Sequence, residues 1–265
     1  MKLTLIITTY NWPNALWLVI ESIRGQTIPP DEIVIADDGS NYKTKELINN
    51  FNNKYAMNIV HSWQEDNGFR AARSRNKAIL VSSGDYIVLI DGDTILHPHF
   101  IEDHIDIAEL GFFVQGSRVL LSEKKTINAL NRKKINFSIF SSGIKNRKNA
   151  IHSKLLSLIF LSKKNHLHGI KSCNIAFHRY DCININGFNN DFEGWGREDS
   201  EFVVRLINSG IKRKSVRFSA IQFHLWHNEN SRISLEKNDA ILYDSIFNDT
   251  QWCENGIDTI KKNEG

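Results

Sequence analysis

Cysteine is scarce: Cys173, Cys182 and Cys253 are the only three in 265 residues. Their odd number and wide spacing supply neither a disulfide framework nor a metal-binding pattern, so reduced thiols in a cytosolic protein are expected. Long apolar runs are missing as well. No stretch approaches the roughly 20 residues that a membrane-spanning helix needs. The run Leu3-Thr4-Leu5-Ile6-Ile7 behind Met1 is too short for the core of a signal peptide and reads as a first buried strand. The net charge is slight, +3, and the basic residues are not interleaved with stacking aromatics, which argues against a nucleic-acid partner. There is no internal repeat, and no Gly-rich G-x-G loop lies near the first apolar run. What remains, 41% apolar and 24% charged residues, is the composition of an ordinary soluble globular protein, long enough to form one elaborated domain.

Through the first half, short apolar runs at 3–9, 32–36, 57–61 and 86–90 alternate with segments at 14–24, 43–53 and 70–81 whose apolar residues recur at helical spacing. That rhythm predicts an α/β fold, Rossmann-like, with a mostly parallel central sheet flanked by helices. Ligands of such sheets sit beyond the carboxyl ends of the strands. Three of those ends are polar: Thr8-Thr9-Tyr10-Asn11, Asp37-Asp38-Gly39-Ser40 and Asp91-Gly92-Asp93. The sheet is expected to continue through 112–121.

Residues 122–168 then form a basic helical insertion. Within it Ile151, Leu155, Leu158 and Ile159 follow helical spacing, Phe160 and Leu161 add bulk, and Lys145, Arg147, Lys148, Lys163 and Lys164 flank them. A helix packing its apolar face on the core is the plainer expectation. An amphipathic element lying on an anionic membrane surface is the sharper one. A segment at 169–232 carries Trp195-Gly196-Arg197-Glu198-Asp199, a helical 202–208 and a strand-like 221–226. Residues 233–265 make a helical, polar tail, expected to be loosely held after Trp252.

Chemistry concentrates at a few places. Asp91-Gly92-Asp93 follows a fully apolar strand, and the glycine removes the side chain that would keep a cation and phosphate oxygens away; a simple acidic turn is the bland alternative. Asp38 at another strand end can accept hydrogen bonds from a nucleobase or ribose, or merely satisfy turn amides. Arg70 and Arg73 lie three residues apart near a helix start, where cations suit a diphosphate, unless they are simply solvated. His224 and His227 add imidazole nitrogen to carboxylate oxygen, a donor set that suits Mn²⁺ somewhat better than Mg²⁺. Trp195 offers an aromatic face to a sugar, beside the carboxylates Glu198 and Asp199, which also favour a helix N-terminus. Two separated acidic sites divide the work of sugar transfer: one holds a metal and diphosphate, the other takes a proton from an acceptor.

In order along the chain, Thr8-Thr9-Tyr10-Asn11, Asp37-Asp38-Gly39-Ser40, Asn67-Gly68-Phe69-Arg70, Arg75-Asn76, Asp91-Gly92-Asp93, Asn186-Gly187-Phe188, Trp195-Gly196-Arg197-Glu198-Asp199 and His224-Leu225-Trp226-His227 make a set. The set resembles family 2 glycosyltransferases of the GT-A fold, and more narrowly those with a galactosyltransferase-like C-terminal segment. The resemblance implies that 1–121 is the nucleotide-sugar-binding half and 169–232 the acceptor-binding segment carrying the base. It implies that Thr8, Tyr10 and Asp38 contact the nucleoside, that Arg70 and Arg75 approach the diphosphate, and that Asp91 lies near the ribose and donor sugar. By the same resemblance Asp93, His227 and, more weakly, His224 hold Mn²⁺ or Mg²⁺; Asp199 is the catalytic base, with Trp195, Gly196, Arg197 and Glu198 around the acceptor. Related galactosyltransferases often have glycine where Arg197 stands, so Arg197 could select an anionic acceptor. The implied reaction inverts the anomeric carbon of a UDP-sugar, moving a hexose or N-acetylhexosamine to a bacterial surface glycan such as lipooligosaccharide or capsule. The implied location is cytoplasmic, with peripheral membrane contact through 145–164. A sugar nucleotidyltransferase is the rival enzyme, but this sequence has no Gly-rich G-x-G loop near its first strand, and that rival has no role for Trp195 and Asp199. A non-catalytic carbohydrate-binding module of the same fold is the remaining alternative.

Overall fold

A computed structural model describes residues 1–228 and 231–264. The elements run in the order β1 (Leu3–Thr9), α1 (Pro13–Arg24), β2 (Glu32–Asp37), α2 (Tyr42–Tyr55), β3 (Ile59–Trp63), α3 (Ala71–Val81), β4 (Tyr86–Asp91) and β5 (Thr94–Leu96). Then follow α4 (Phe100–Ile107), β6 (Phe112–Gln115), β7 (Val119–Leu121), α5 (Glu123–Arg132), β8 (Ile144–Lys145) and α6 (Lys154–Ile159). The last third holds β9 (Asn174–His178), α7 (Arg179–Asn184), α8 (Glu198–Asn208), β10 (Lys212–Ser215), β11 (Gln222–His224), α9 (Leu235–Phe247) and α10 (Ile257–Glu264).

A seven-stranded sheet in the order β10-β6-β9-β4-β1-β2-β3 forms the centre. The parallel pairs β1–β2, β2–β3 and β1–β4 follow from the alternating strands and helices of the first half. Strand β1 alternates its contacts: Leu3, Leu5 and Ile7 join α1, α2 and α4 on one face, and Ile6 joins α3, α7 and α8 on the other. Burial on both faces is why the strand reads as an unbroken apolar run. Helix α1 begins with Pro13 in its first turn, and Asn41 caps α2 by accepting from the Lys43 amide.

The sheet is mixed rather than parallel beyond β4. Strand β9 is inserted antiparallel to both β4 and β6. The expected strand over 112–121 is two strands in different sheets, since β7 joins a second sheet ordered β5-β11-β7-β8 with its own core of Ile95, Val119, Leu121, Ile221, Phe223 and Leu225.

Two further expectations are corrected. The end of the chain is docked, not loose: Cys253, Ile257 and Ile260 are buried, and Asn186 accepts the amides of Ile257 and Asp258. Helix α6 does not pack its apolar face on the core. Leu155, Leu158, Ile159 and Phe160 are 69%, 70%, 65% and 48% exposed, while Ser157 points inward and bonds Ser219 at 2.7 Å. The three cysteines are buried and unpaired.

Candidate active site

Strand pairing brings the polar strand ends together. The parallel register puts Thr8 beside Asp91 on β4 and beside Ala36 on β2, so the three polar strand ends share one edge. Asp38, just past β2, accepts from Gln64 Nε2 at 2.6 Å and from the Arg70 amide at 2.8 Å. Burial pushes its carboxyl up against those donors, which favour the charged form. Gly39, at φ +98°, lets the chain pass so near Asp66 that a Cβ would sit 2.5 Å from the Asp66 Cα. Tyr10 reaches across the same gap and donates its hydroxyl to Asp66 at 2.9 Å. The Arg70 guanidinium donates to the Glu65 carbonyl, and its buried Nε has no hydrogen-bond partner among the described residues.

A second cluster forms where the two sheets meet. Strands β5 and β11 pair antiparallel with Thr94 opposite His224, and the Leu225 amide donates to the Asp93 carbonyl at 2.9 Å. That ladder brings His224 Nε2 to 3.6 Å from Asp93 Oδ1 and His227 Nε2 to 3.4 Å from Asp93 Oδ2. Ligand atoms of the three residues lie within 4.8 Å of one another, a grouping found nowhere else among the described residues. The donors suit a divalent cation on two further counts. Asp93 Oδ1 is buried without a hydrogen-bond partner. His227 Nδ1 lies 2.7 Å from the Asn228 carbonyl, so in the neutral ring the proton sits on Nδ1 and the Nε2 lone pair on the Asp93 side is free to take a cation.

A third cluster is built at the start of α8. Gly194, Gly196 and Arg197 all have positive φ, at +74°, +109° and +77°. Arg197 thus occupies a backbone conformation that favours glycine, a physical reason for glycine at this place in related sequences. Its Nε donates to Asp239 of α9 at 2.5 Å, which offsets the charge expected to select an anionic acceptor. Trp195 is 40% exposed, and Gly196 passes beneath Leu235. Asp199 accepts from the Ser172 amide at 3.1 Å and the Ser200 amide at 2.7 Å. Burial, with Glu198 beside it, nevertheless pushes the Asp199 carboxyl up to about 7, against the pull of Arg75.

Arg75 lies between the strand ends and the start of α8. Its Nε donates to Thr8 Oγ1 at 3.2 Å, Nη1 to Glu198 at 3.0 Å and Nη2 to Ser172 Oγ at 3.0 Å, with Asp91 3.7 Å from Nη2. The neighbouring Asn76 binds both the Phe188 carbonyl and amide, at 2.6 and 2.8 Å, so two motifs distant in sequence lock together. A Cβ on Gly187 would collide with the Asn76 side chain at 2.4 Å.

The structure therefore gathers Thr8, Asp91 and Glu198 around Arg75, links Asp199 to them through Ser172, and holds Asp93, His224 and His227 in a separate group two residues from Asp91. Asp38, Tyr10 and Arg70 form a third group at the β2 end. Sequence reasoning missed Ser172, whose amide and hydroxyl join Asp199 to Arg75, and Arg118, whose charge favours ionised Asp91. A serine and an arginine in loops between strands carry no pattern that would mark them.

A family model described as glycosyl transferase family 2 matches residues 4–180, more than half of the chain. A second, described as the N-terminal domain of galactosyltransferase, matches residues 156–228. Chondroitin synthase of Escherichia coli is 23% identical over 242 residues, covering 84% of this chain and 34% of the relative. Hyaluronan synthase of Pasteurella multocida is 27% identical over 236 residues, 81% of this chain and 24% of the relative. This chain thus spans about a quarter to a third of the length of these two relatives. The crystal structure of S. aureus TarS is similar at a TM-score of 0.63 and 17% identity, over 94% of this chain and 40% of TarS. A 1–349 form of TarS in complex with UDP-GlcNAc gives a TM-score of 0.61 at 16% identity, over 91% of this chain and 64% of that one. The architecture is the GT-A fold. With the family model running from the first strand through the carboxylates of β4 and on to α7, the chain belongs to glycosyl transferase family 2.

Proposed function

We propose that this protein is an inverting, metal-dependent glycosyltransferase that moves a hexose or N-acetylhexosamine from a UDP-sugar to a hydroxyl of a bacterial surface glycan, such as lipooligosaccharide or capsule. The observation that carries this reading is the pairing of two unlike carboxylate centres across Arg75. One, around Asp91 and Asp93, has donors for a cation; the other, Asp199, is a recessed carboxyl with raised proton affinity. The UDP-GlcNAc complex of TarS, on the same fold, supports UDP as the carrier.

In this reading Thr8, Tyr10 and Asp38 surround the nucleoside, Asp91 faces the ribose and donor sugar, and Arg70 turns its unpartnered Nε toward the diphosphate. Asp93, His224 and His227 are the residues that would hold Mn²⁺ or Mg²⁺, whose chemistry there is neutralisation of charge on a departing diphosphate. Trp195 presents its ring to the acceptor, and Gly196, Arg197 and Glu198 shape the entrance around it. Asp199 removes the proton from the acceptor hydroxyl as that oxygen attacks the anomeric carbon. A single displacement inverts the carbon, so an α-linked donor yields a β-glycoside. Peripheral contact with the cytoplasmic face of a membrane is part of the proposal, and the exposed apolar side chains of α6 support it.

The deciding experiment incubates the protein with a panel of nucleotide sugars and Mn²⁺ and measures release of nucleoside diphosphate, with and without glycan acceptors. Release of UDP from one or two UDP-sugars, accelerated by acceptor, is expected. No release above buffer from any donor would leave a carbohydrate-binding module as the better reading.

A further inference from the structure

Arg75 is 4% exposed and its three nitrogens all point at protein groups. A guanidinium has five N–H donors in one plane. Here one faces Thr8, one Glu198, and the Nη2 pair faces Ser172 and Asp91. At most one donor is left over, on Nη1. The ring of Phe188 lies 5.5 Å from the guanidinium carbon and closes one flank. A side chain so occupied has little left to offer a diphosphate. It spans instead from the ends of β1 and β4 to the first turn of α8.

We propose that Arg75 is a positioning residue of the acceptor half: a buried strut that holds Glu198 and, through Ser172, Asp199 in place against the donor half, rather than a ligand of the donor diphosphate. The proposal rests on reading Asp199 as the base. Its geometry is a closed path: Arg75 Nη2 to Ser172 Oγ, the Ser172 amide to Asp199 Oδ2, and Arg75 Nη1 to the adjoining Glu198. Asp91, Glu198 and Asp199 form a set of three carboxylates around this one buried cation. Removing it leaves like charges facing each other, which favours protonation of Asp199. The charged groups bearing on Asp199 are Glu198 on its own helix and Arg75 on α3, and they act in opposite senses.

The test compares wild type with Arg75→Lys and Arg75→Met, using UDP affinity by calorimetry in the presence of Mn²⁺ and the pH profile of kcat/KM for transfer. UDP affinity is expected to stay within about 3-fold of wild type, because the β1–β4 pairing holds Thr8 and Asp91 in place without Arg75, while transfer by Arg75→Met falls at least tenfold. Its acidic limb should also move upward by about one pH unit or more, the scale of losing an opposite charge beside a carboxylate. Arg75→Lys keeps the charge but not the fork, so its limb should stay near that of wild type while its rate falls. A merely structural role would lower the rate without moving the limb, and that result overturns the proposal. Parallel loss of UDP affinity and transfer would return Arg75 to the diphosphate. If Arg75→Met does not fold, Ser172→Ala cuts the same path and should lower transfer with UDP affinity kept; unchanged transfer overturns the strut. Failure of the base assignment is separable, because normal transfer by Asp199→Asn would remove that assignment whatever Arg75 does.

Discussion

At the scale of single residues, Asp199 as the proposed base combines two demands that oppose each other. A base must lose its proton to work, yet burial and Glu198 raise its carboxyl to about 7, well above the ordinary carboxylate value near 3.9. The free enzyme should therefore show an acidic limb in kcat/KM near neutrality, with activity falling as pH drops through it. Asp199→Asn should lose about 10²–10⁴-fold in rate while still binding UDP. Stability should respond in the opposite sense. A carboxyl raised in the folded state favours folding fully below about pH 4, and that contribution is lost as pH rises toward 7. The inactive Asn variant escapes this loss, so its melting temperature should exceed that of wild type more at pH 8 than at pH 5. Melting curves at the two pH values check the stability claim, and a flat pH–rate profile in wild type would count against Asp199 as the titrating base. The place of this carboxylate beside Glu198 at the start of α8 was legible in the sequence because it sits in a motif. Its raised proton affinity was not, because that comes first from burial, which only the folded chain supplies, and is tempered by Arg75 and the Ser172 amide from other parts of the chain.

At the scale of elements, β1, β2 and β4 were readable because both their faces are buried, and α1 and α2 because each turns apolar residues to the core. Strands β9 and β10 were not. Strand β10 is Lys-Arg-Lys-Ser on the sheet edge, where polar side chains are ordinary and hydrophobic pattern is silent. Helix α6 shows a different limit: periodicity reveals that a helix has an apolar face but not what that face meets. Leu155, Leu158 and Ile159 face solvent, and Phe160 packs on Phe218 next to the exposed Arg217, with Lys163 and Lys164 following in the chain. Lys163 is already paired with Glu109, so the electrostatic part of any membrane contact is weaker than a count of lysines suggests. Binding should thus depend on the apolar face more than on salt. The protein is expected to sediment with anionic liposomes, and a Leu155→Ser, Leu158→Ser double variant to remain in the supernatant with transfer to a soluble acceptor unaffected. Equal recovery of wild type in the supernatant with and without liposomes would end the membrane reading.

At the scale of the whole molecule, the sequence order of motifs gave little hint of how they are joined. Asn76 on α3 clasps the turn before Phe188, that turn in turn holds α10 through Asn186, and the clasp draws the segment around Phe188 against the first half of the chain. The two sheets are joined in a comparable way, since the turn from β4 to β5 delivers Asp93 to the far end of β11. Asp93 and the histidines His224 and His227, more than 120 residues apart in the chain, become neighbours only once β5 and β11 have paired. A cation that needs all three therefore recognises the native chain and scarcely any unfolded form, and mass action couples its concentration to the folding equilibrium. At one hundred times the dissociation constant that coupling amounts to about 2.7 kcal/mol. Thermal melting should rise along a saturating curve as Mn²⁺ is added, and Asp93→Ala and His227→Ala should each flatten the curve. An ordinary melting experiment, with no substrate present, would then report whether the junction of the two sheets doubles as a reservoir of conformational stability set by the ambient metal.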